Sequence, residues 1–241
     1  IHPMQQPLLP VLERALLRVP TRGKGIEMNG NPCMGCPLNS DTPKVPPTIP
    51  PGAKVICVGL APGKVENEQK QNFVGPAGQE LRTGLSKVGL NPALDVGYAN
   101  LTRCTPPGEN FESSEWKRAQ SRCWNHLRED LQSFGGPVLA LGAQAAQQLL
   151  EDKHTKILAI RGLWKQGWQG RAVYTARHPV AILRERDVHR QAALRQQFHD
   201  DLYRMAARLF GIECLPDVMV DVYADPCEAR EYLRWLRHQP G

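Results

Sequence analysis

Lys54-Val-Ile-Cys-Val-Gly59 runs without interruption into Leu60-Ala-Pro-Gly63, and the reading of this stretch decides the fold. An apolar run bounded by Lys54 and Gly59 is too short for a helix and suits a strand buried on both faces. The Gly-Leu-Ala-Pro-Gly segment then forces a turn at the strand's carboxyl end. Similar units recur downstream. A second strand ends near Tyr98-Ala-Asn100, and a third is Pro137-Val-Leu-Ala-Leu-Gly142. A fourth, Arg171-Ala-Val-Tyr-Thr-Ala176, runs into Arg177-His178-Pro179. Helical spacing predicts helices over 77–88, after Ser113-Ser114-Glu115, from Ala143 and over roughly 190–210. Strands alternating with helices predict a three-layer α/β/α domain around a central, four-stranded, mainly parallel sheet. Ligand sites of such sheets gather at the carboxyl ends of the strands, where the turns after Gly59, after Asn100 and at His178 all fall.

The chain has 241 residues, 41% of them hydrophobic and 22% charged, enough to bury a substantial core. No apolar run approaches the ~20 residues of a membrane span, and no signal peptide is expected at the N-terminus. An intracellular setting follows as an expectation, in which clustered thiols bind metal more often than they pair. The net charge of +6 suits a polyanionic partner, or simply a solvated basic surface. Residues 8–18 carry helical spacing, and the Pro-Gly-rich stretch 20–53 reads as a loop held by ligands. One domain is expected over 1–210. Residues 211–241, strand-like from Ile212 to Val222 and helical after Pro226, read as an extension or the start of a further unit.

Four of the seven cysteines form a pattern. Cys33-Met-Gly-Cys36 is a close pair, Cys104 lies in Arg103-Cys-Thr-Pro-Pro-Gly108, and Cys123 shares a helix face with Trp116, Ala119, Leu127 and Leu131. A closed four-thiolate site means zinc or an iron–sulfur cluster. A zinc ribbon would show two Cys-x-x-Cys pairs, and the single pair here favours [4Fe-4S]. Cys57, Cys214 and Cys227 fall outside the pattern.

Taken together, the motifs resemble those of the iron–sulfur uracil-DNA glycosylases of family 4, with a first motif like that of family 5. Gly59-Leu-Ala-Pro-Gly63, Glu66 and Phe73-Val-Gly-Pro-Ala-Gly78 match the first segment, and Asn100-Leu-Thr-Arg-Cys-Thr-Pro-Pro-Gly108 the second. Leu139 to Ala146 and His178-Pro179 with Leu183-Arg184 complete the set, and the likeness covers roughly 33–210. The resemblance implies hydrolysis of the N-glycosidic bond of a uracil flipped out of single- or double-stranded DNA. It implies that Asn100 recognises the base, that Phe73 stacks on it, and that Gly59, Leu60, Ala61, Pro62 and Gly63 shape the pocket. His178 would stabilise the departing anion, and Glu66 is a candidate to position water. Arg177, Leu183 and Arg184 would meet DNA, and Cys33, Cys36, Cys104 and Cys123 would hold a [4Fe-4S] cluster. A monomer in a bacterial or phage-infected cell is expected.

The chain also departs from the pattern. Leu60 stands where family 4 carries Glu, Asn67 replaces an acid, Asn72 a Pro, and Val180 a Ser or Ala. Leucine neither accepts a proton nor orients water. Two alternatives therefore stay open: a weakly catalytic DNA-binding module at the front of a larger, phage-type replication protein, and a zinc-stapled protein of unrelated role.

Overall fold

The structure is a computed structural model that describes residues 33–38 and 44–211. The helix expected at 8–18 and the unit expected after 211, with Cys214 and Cys227, lie outside the described residues.

Strands β1 (Val55–Gly59), β2 (Val96–Asn100), β3 (Val138–Leu141), β4 (Trp164–Gln166) and β5 (Ala172–Ala176) form one sheet in the order β2-β1-β3-β5-β4. All neighbours run parallel except β4, which pairs antiparallel with β5. Every residue of β1, β2 and β3 is buried, as a strand covered on both faces requires. The four expected strands are present, and the sheet has a fifth. Trp164-Lys-Gln166 is three residues long with two of them exposed, so its sequence carries no buried-strand signal. A short, charged strand suits an edge, where unpaired backbone would otherwise invite association.

Helices α1 (Lys64–Gln69), α2 (Pro76–Lys87), α3 (Ser114–Phe134), α4 (Ala143–Leu149), α5 (Ile157–Ile160), α6 (Val180–Arg184) and α7 (Val188–Leu209) surround the sheet. Alternation along the strands divides the core in two. Val55, Cys57, Val96 and Tyr98 pack with Leu81 and Leu85 of α2 and Phe198, Leu202 and Met205 of α7. Ile56, Val58, Ala99 and Val138 pack with Leu127 and Leu131 of α3 and Ala145 and Leu149 of α4. This gives the three layers. The Ser113 hydroxyl caps α3 by accepting from the Trp116 N–H, and α3 ends at Gly135 with φ +74°. The Asp187 carboxylate caps α7 by accepting from the Arg190 N–H at 2.8 Å, which starts that helix two residues earlier than expected.

A buried ion pair fastens the β4 side to α7. Arg161 donates through Nε and Nη2 to Asp201 at 3.1 and 2.9 Å, and through Nη2 to the Gln197 carbonyl at 3.2 Å. Asp201 is fully buried, whereas part of the Arg161 side chain reaches solvent. Removing the carboxylate strands a half-buried guanidinium, so Asp201→Ala should lower unfolding stability by about 2–3 kcal/mol, measured by chemical denaturation.

Candidate active site

Because β1, β2, β3 and β5 are parallel, Gly59, Asn100, Leu141 and Ala176 all end at the same edge of the sheet. Gly59 is paired directly with Asn100 in the strand register. A Cβ on Gly59 would lie 2.5 Å from Asn100 Oδ1 and 2.9 Å from Phe73 Cζ. The amide and the ring therefore meet over a backbone that has no side chain. The Phe73 ring lies 28° from parallel with that of His178, their centroids 6.4 Å apart, and 5.7 Å from the centroid of Tyr98. Asn100, Phe73 and His178, widely separated in sequence, are thus brought together at one corner.

The order of that corner comes from residues to which the sequence assigns no role. Asn100 is buried, and its Nδ2 donates to Asn72 Oδ1 at 2.8 Å. Asn72 Nδ2 donates to the Pro46 carbonyl at 2.6 Å. Phe73 holds a left-handed backbone conformation, φ +55°, which is costly for a bulky residue. Arg82 clamps it there, donating through Nε to the Phe73 carbonyl at 2.9 Å and through Nη2 to the Asn72 carbonyl at 3.3 Å. The Arg82 guanidinium sits 4.1 Å over the Tyr98 ring. Gly78 lets α2 come up against the Phe73 backbone, since a Cβ there would lie 2.1 Å from the Phe73 carbonyl. Asn72 stands out in the sequence only as a departure from the family pattern, and its role, like those of Arg82 and Tyr98, is visible only from its three-dimensional neighbours.

His178 follows β5 at the start of α6. Its Nδ1 accepts from the Val180 N–H at 3.2 Å, which leaves the proton of the neutral ring on Nε2. Burial holds the imidazole down at about 4; the Arg184 charge adds to this, and Glu66 opposes it. The ring is therefore neutral, and a hydrogen-bond donor, near pH 7. Gly142, with φ +88°, ends β3 beside it, and a Cβ there would lie 3.2 Å from the His178 Cβ.

The other expected site residues are dispersed around this core. Glu66 Oε1 accepts from the Val74 and Gly75 N–H groups at 2.9 and 2.7 Å, so half of its carboxylate is committed to the start of α2. Its Oε2 faces Gly63, where a Cβ would lie 2.7 Å away. Leu60 does not join Asn100, Phe73 and His178. Alternation turns it to the other side, where it packs against the apolar cluster of α3 and α4 and against the one around Cys104 and Trp116. Ala61 packs in the latter cluster, and the Pro62 carbonyl accepts from the Thr105 hydroxyl. Leu183 and Arg184 are exposed on α6. Arg177 is turned partly inward, with its Nε buried and near Arg161 and Asp201. Arg195 is tied to Glu80 at 2.8 Å. An open cleft of about 550 Å³ lies between Lys64–Lys70 and the Pro106–Glu109 turn, but it meets none of Asn100, Phe73 and His178.

Cys33, Cys36, Cys104 and Cys123 line one small closed cavity, together with Arg103 and His126. The Cys36 N–H donates to the Cys33 carbonyl at 3.1 Å, closing the turn between the near pair. Arg122 Nη1 donates to the Met34 carbonyl at 3.0 Å and ties that turn to α3. The Arg103 N–H donates to Cys123 Sγ at 3.4 Å, and His126 Nε2 stands 3.4 Å from Cys33 Sγ. No three His, Cys, Asp or Glu residues among those described are spaced to hold a single metal ion. Four thiols lining one small cavity have the donor chemistry that an iron–sulfur cluster takes.

Ring neutrality at His178 is measurable. In an NMR titration its imidazole should have a midpoint near pH 4 rather than 6.5. The unfolded chain takes up this proton near pH 6.5, so the fold should lose stability as pH falls from there to about 4, and His178→Ala should flatten that slope.

Comparison with known proteins assigns the family. The family model for the uracil DNA glycosylase superfamily matches residues 46–202. A type-4 uracil-DNA glycosylase of Pyrobaculum aerophilum is 32% identical over 167 residues, 65% of this chain and 76% of that protein. One from Thermotoga maritima is 29% identical over 158 residues, 64% of this chain and 79% of that protein. A DNA polymerase of Bacillus phage SP01 is 25% identical over 134 residues, 55% of this chain but 14% of the polymerase. With a family model spanning well over half its length and the strand-end corner in place, the chain belongs to the uracil DNA glycosylase superfamily.

Proposed function

We propose that the protein excises uracil from DNA, hydrolysing the N-glycosidic bond and leaving an abasic site. The observation that carries this reading is the meeting of Asn100 Oδ1 and the Phe73 ring over Gly59, with the His178 ring facing Phe73. In the reaction, a water oxygen bonds to C1′ of the sugar while the bond from C1′ to the base breaks. The electron pair leaves with the base, and the water's proton finally neutralises it. Asn100 pairs with the uracil edge, Phe73 stacks on its face, and the backbone of the Gly59–Gly63 turn helps shape the pocket. His178 donates from Nε2 to O2 of the departing anion. A neutral donor is preorganised for this role without first having to lose or gain a proton. Glu66 Oε2, the oxygen not held by the α2 amides, is the acceptor available to a water on this side.

Cys33, Cys36, Cys104 and Cys123 would hold a [4Fe-4S] cluster. The cluster supplies a rigid four-thiolate cross-link, and glycosidic hydrolysis calls for no electron transfer from it. Exposed Leu183 and Arg184 on α6 would enter and flank the DNA groove, with Arg177 behind them contributing charge. Fusion to or association with replication proteins belongs to the same reading, motivated by the similarity to the phage polymerase.

A second reading is favoured by Leu60. Its side chain lies in apolar contacts where family 4 carries a carboxylate, so turnover would be slow and DNA binding would dominate. Uracil-containing oligonucleotides decide between the two. Release by the purified holo-protein should fall about 10²–10³-fold in His178→Ala, the loss typical of one anion-stabilising donor. No release from wild type, together with salt-sensitive DNA binding, would establish the second reading instead. Separately, the protein should purify with broad visible absorption that Cys104→Ser abolishes, together with a loss of thermal stability.

A further inference from the structure

The orientation of the Asn100 amide is the part of this corner on which discrimination between bases turns, and the structure contains a device that sets it. Uracil presents an N3–H donor beside its O4 acceptor. Cytosine presents an N3 acceptor beside an N4–H donor. An asparagine amide matches one edge or the other according to which way it faces, because its oxygen only accepts and its nitrogen only donates. Rotating the Asn100 amide by half a turn would therefore exchange its preference.

Asn72 prevents that rotation. Its Nδ2 is held by main-chain acceptors, the Pro46 carbonyl at 2.6 Å and, more weakly, the Tyr98 carbonyl at 3.5 Å. Carbonyls cannot become donors, so Asn72 must keep its nitrogen toward them and its Oδ1 away. That oxygen accepts from Asn100 Nδ2 at 2.8 Å, and the contact is buried from water. A flipped Asn100 would set oxygen against oxygen there, and flipping Asn72 as well would only move the clash to Pro46 and Tyr98. Asn100 Oδ1 is consequently left on the Gly59 side, beside the Phe73 ring, where it can accept a hydrogen bond from a base. Arg82 steadies the same segment by holding the carbonyls of Asn72 and Phe73.

We infer that Asn72 is a positioning residue that sets uracil over cytosine preference by locking the Asn100 amide through a relay anchored on the Pro46 and Tyr98 carbonyls. The inference rests on the pocket assignment above but not on turnover. An alanine at 72 removes the relay. An aspartic acid is isosteric and, once protonated in this buried setting, donates to Pro46 and accepts from Asn100 as the amide does.

The test is equilibrium binding of free uracil and free cytosine to the holo form of the full chain, with uracil release from DNA measured in parallel. Wild type should prefer uracil, Asn72→Ala should lose at least about tenfold of that preference, and Asn72→Asp should keep it to within about threefold. An unchanged ratio in Asn72→Ala, an equal loss in both variants, or no preference in wild type overturns the inference. Should Asn72→Ala not fold, side-chain amide exchange in wild type decides: one protected Asn100 proton supports the relay, and two freely exchanging protons overturn it. A wild type that binds uracil selectively yet releases none refutes the proposed activity and leaves this inference standing.

Discussion

The corner depends on a missing side chain. Gly59 ends a strand buried on both faces, and the space its Cβ would occupy is taken by Asn100 Oδ1 and the Phe73 ring. Any larger residue would force apart the amide and the aromatic face. Parallel pairing of β1 with β2 makes Gly59 the direct neighbour of Asn100, so the same register that builds the core also sets where the Asn100 amide stands. Core and site here are a single constraint.

The second constraint is strain held in place by packing. Phe73 adopts a conformation that costs a bulky side chain of order 1–3 kcal/mol and persists only where its surroundings over-determine it. Arg82 donates to the carbonyls on either side of the Asn72–Phe73 link and stacks on Tyr98, while Gly78 lets α2 close behind it. This framework seats the ring in the core, at its boundary with His178. It also delivers Asn72 to Asn100, so ring orientation and amide orientation are set by one segment.

The loop after β2 joins the corner at Gly59 and Asn100 to the cysteine cavity. Leu101 and Thr102 donate backbone N–H groups to the Gly59 and Leu60 carbonyls at 2.9 and 3.1 Å. The Thr102 hydroxyl then donates to the Cys104 carbonyl at 2.9 Å, and the Cys104 side chain lies at the cavity. A cross-link among the four cysteines would therefore stiffen the wall that carries Leu60 and Asn100. Leu60, packed in both apolar clusters, lies between the two regions.

Reading residues in order is enough to find the doubly buried strands, the helix caps, the turn at Gly59 and the Cys33–Cys36 pair, because each depends on neighbours within a few positions. Asn100, Phe73 and His178 are singled out only by the resemblance of the motifs that carry them to those of a known family. The same reading misses β4, whose three residues owe their strand to pairing with β5 and not to any propensity of their own. It does not place Leu60 away from the pocket or Glu66 on the α2 amides, since one is a matter of which sheet face the residue turns to and the other of a contact eight residues away. Above all, it marks Asn72 only as a departure from the family pattern and carries no sign of Arg82. Their roles arise from carbonyl groups of Pro46, Tyr98 and Phe73, and main-chain acceptors are the same in every sequence; only the folded chain decides which ones stand within reach of which side chain.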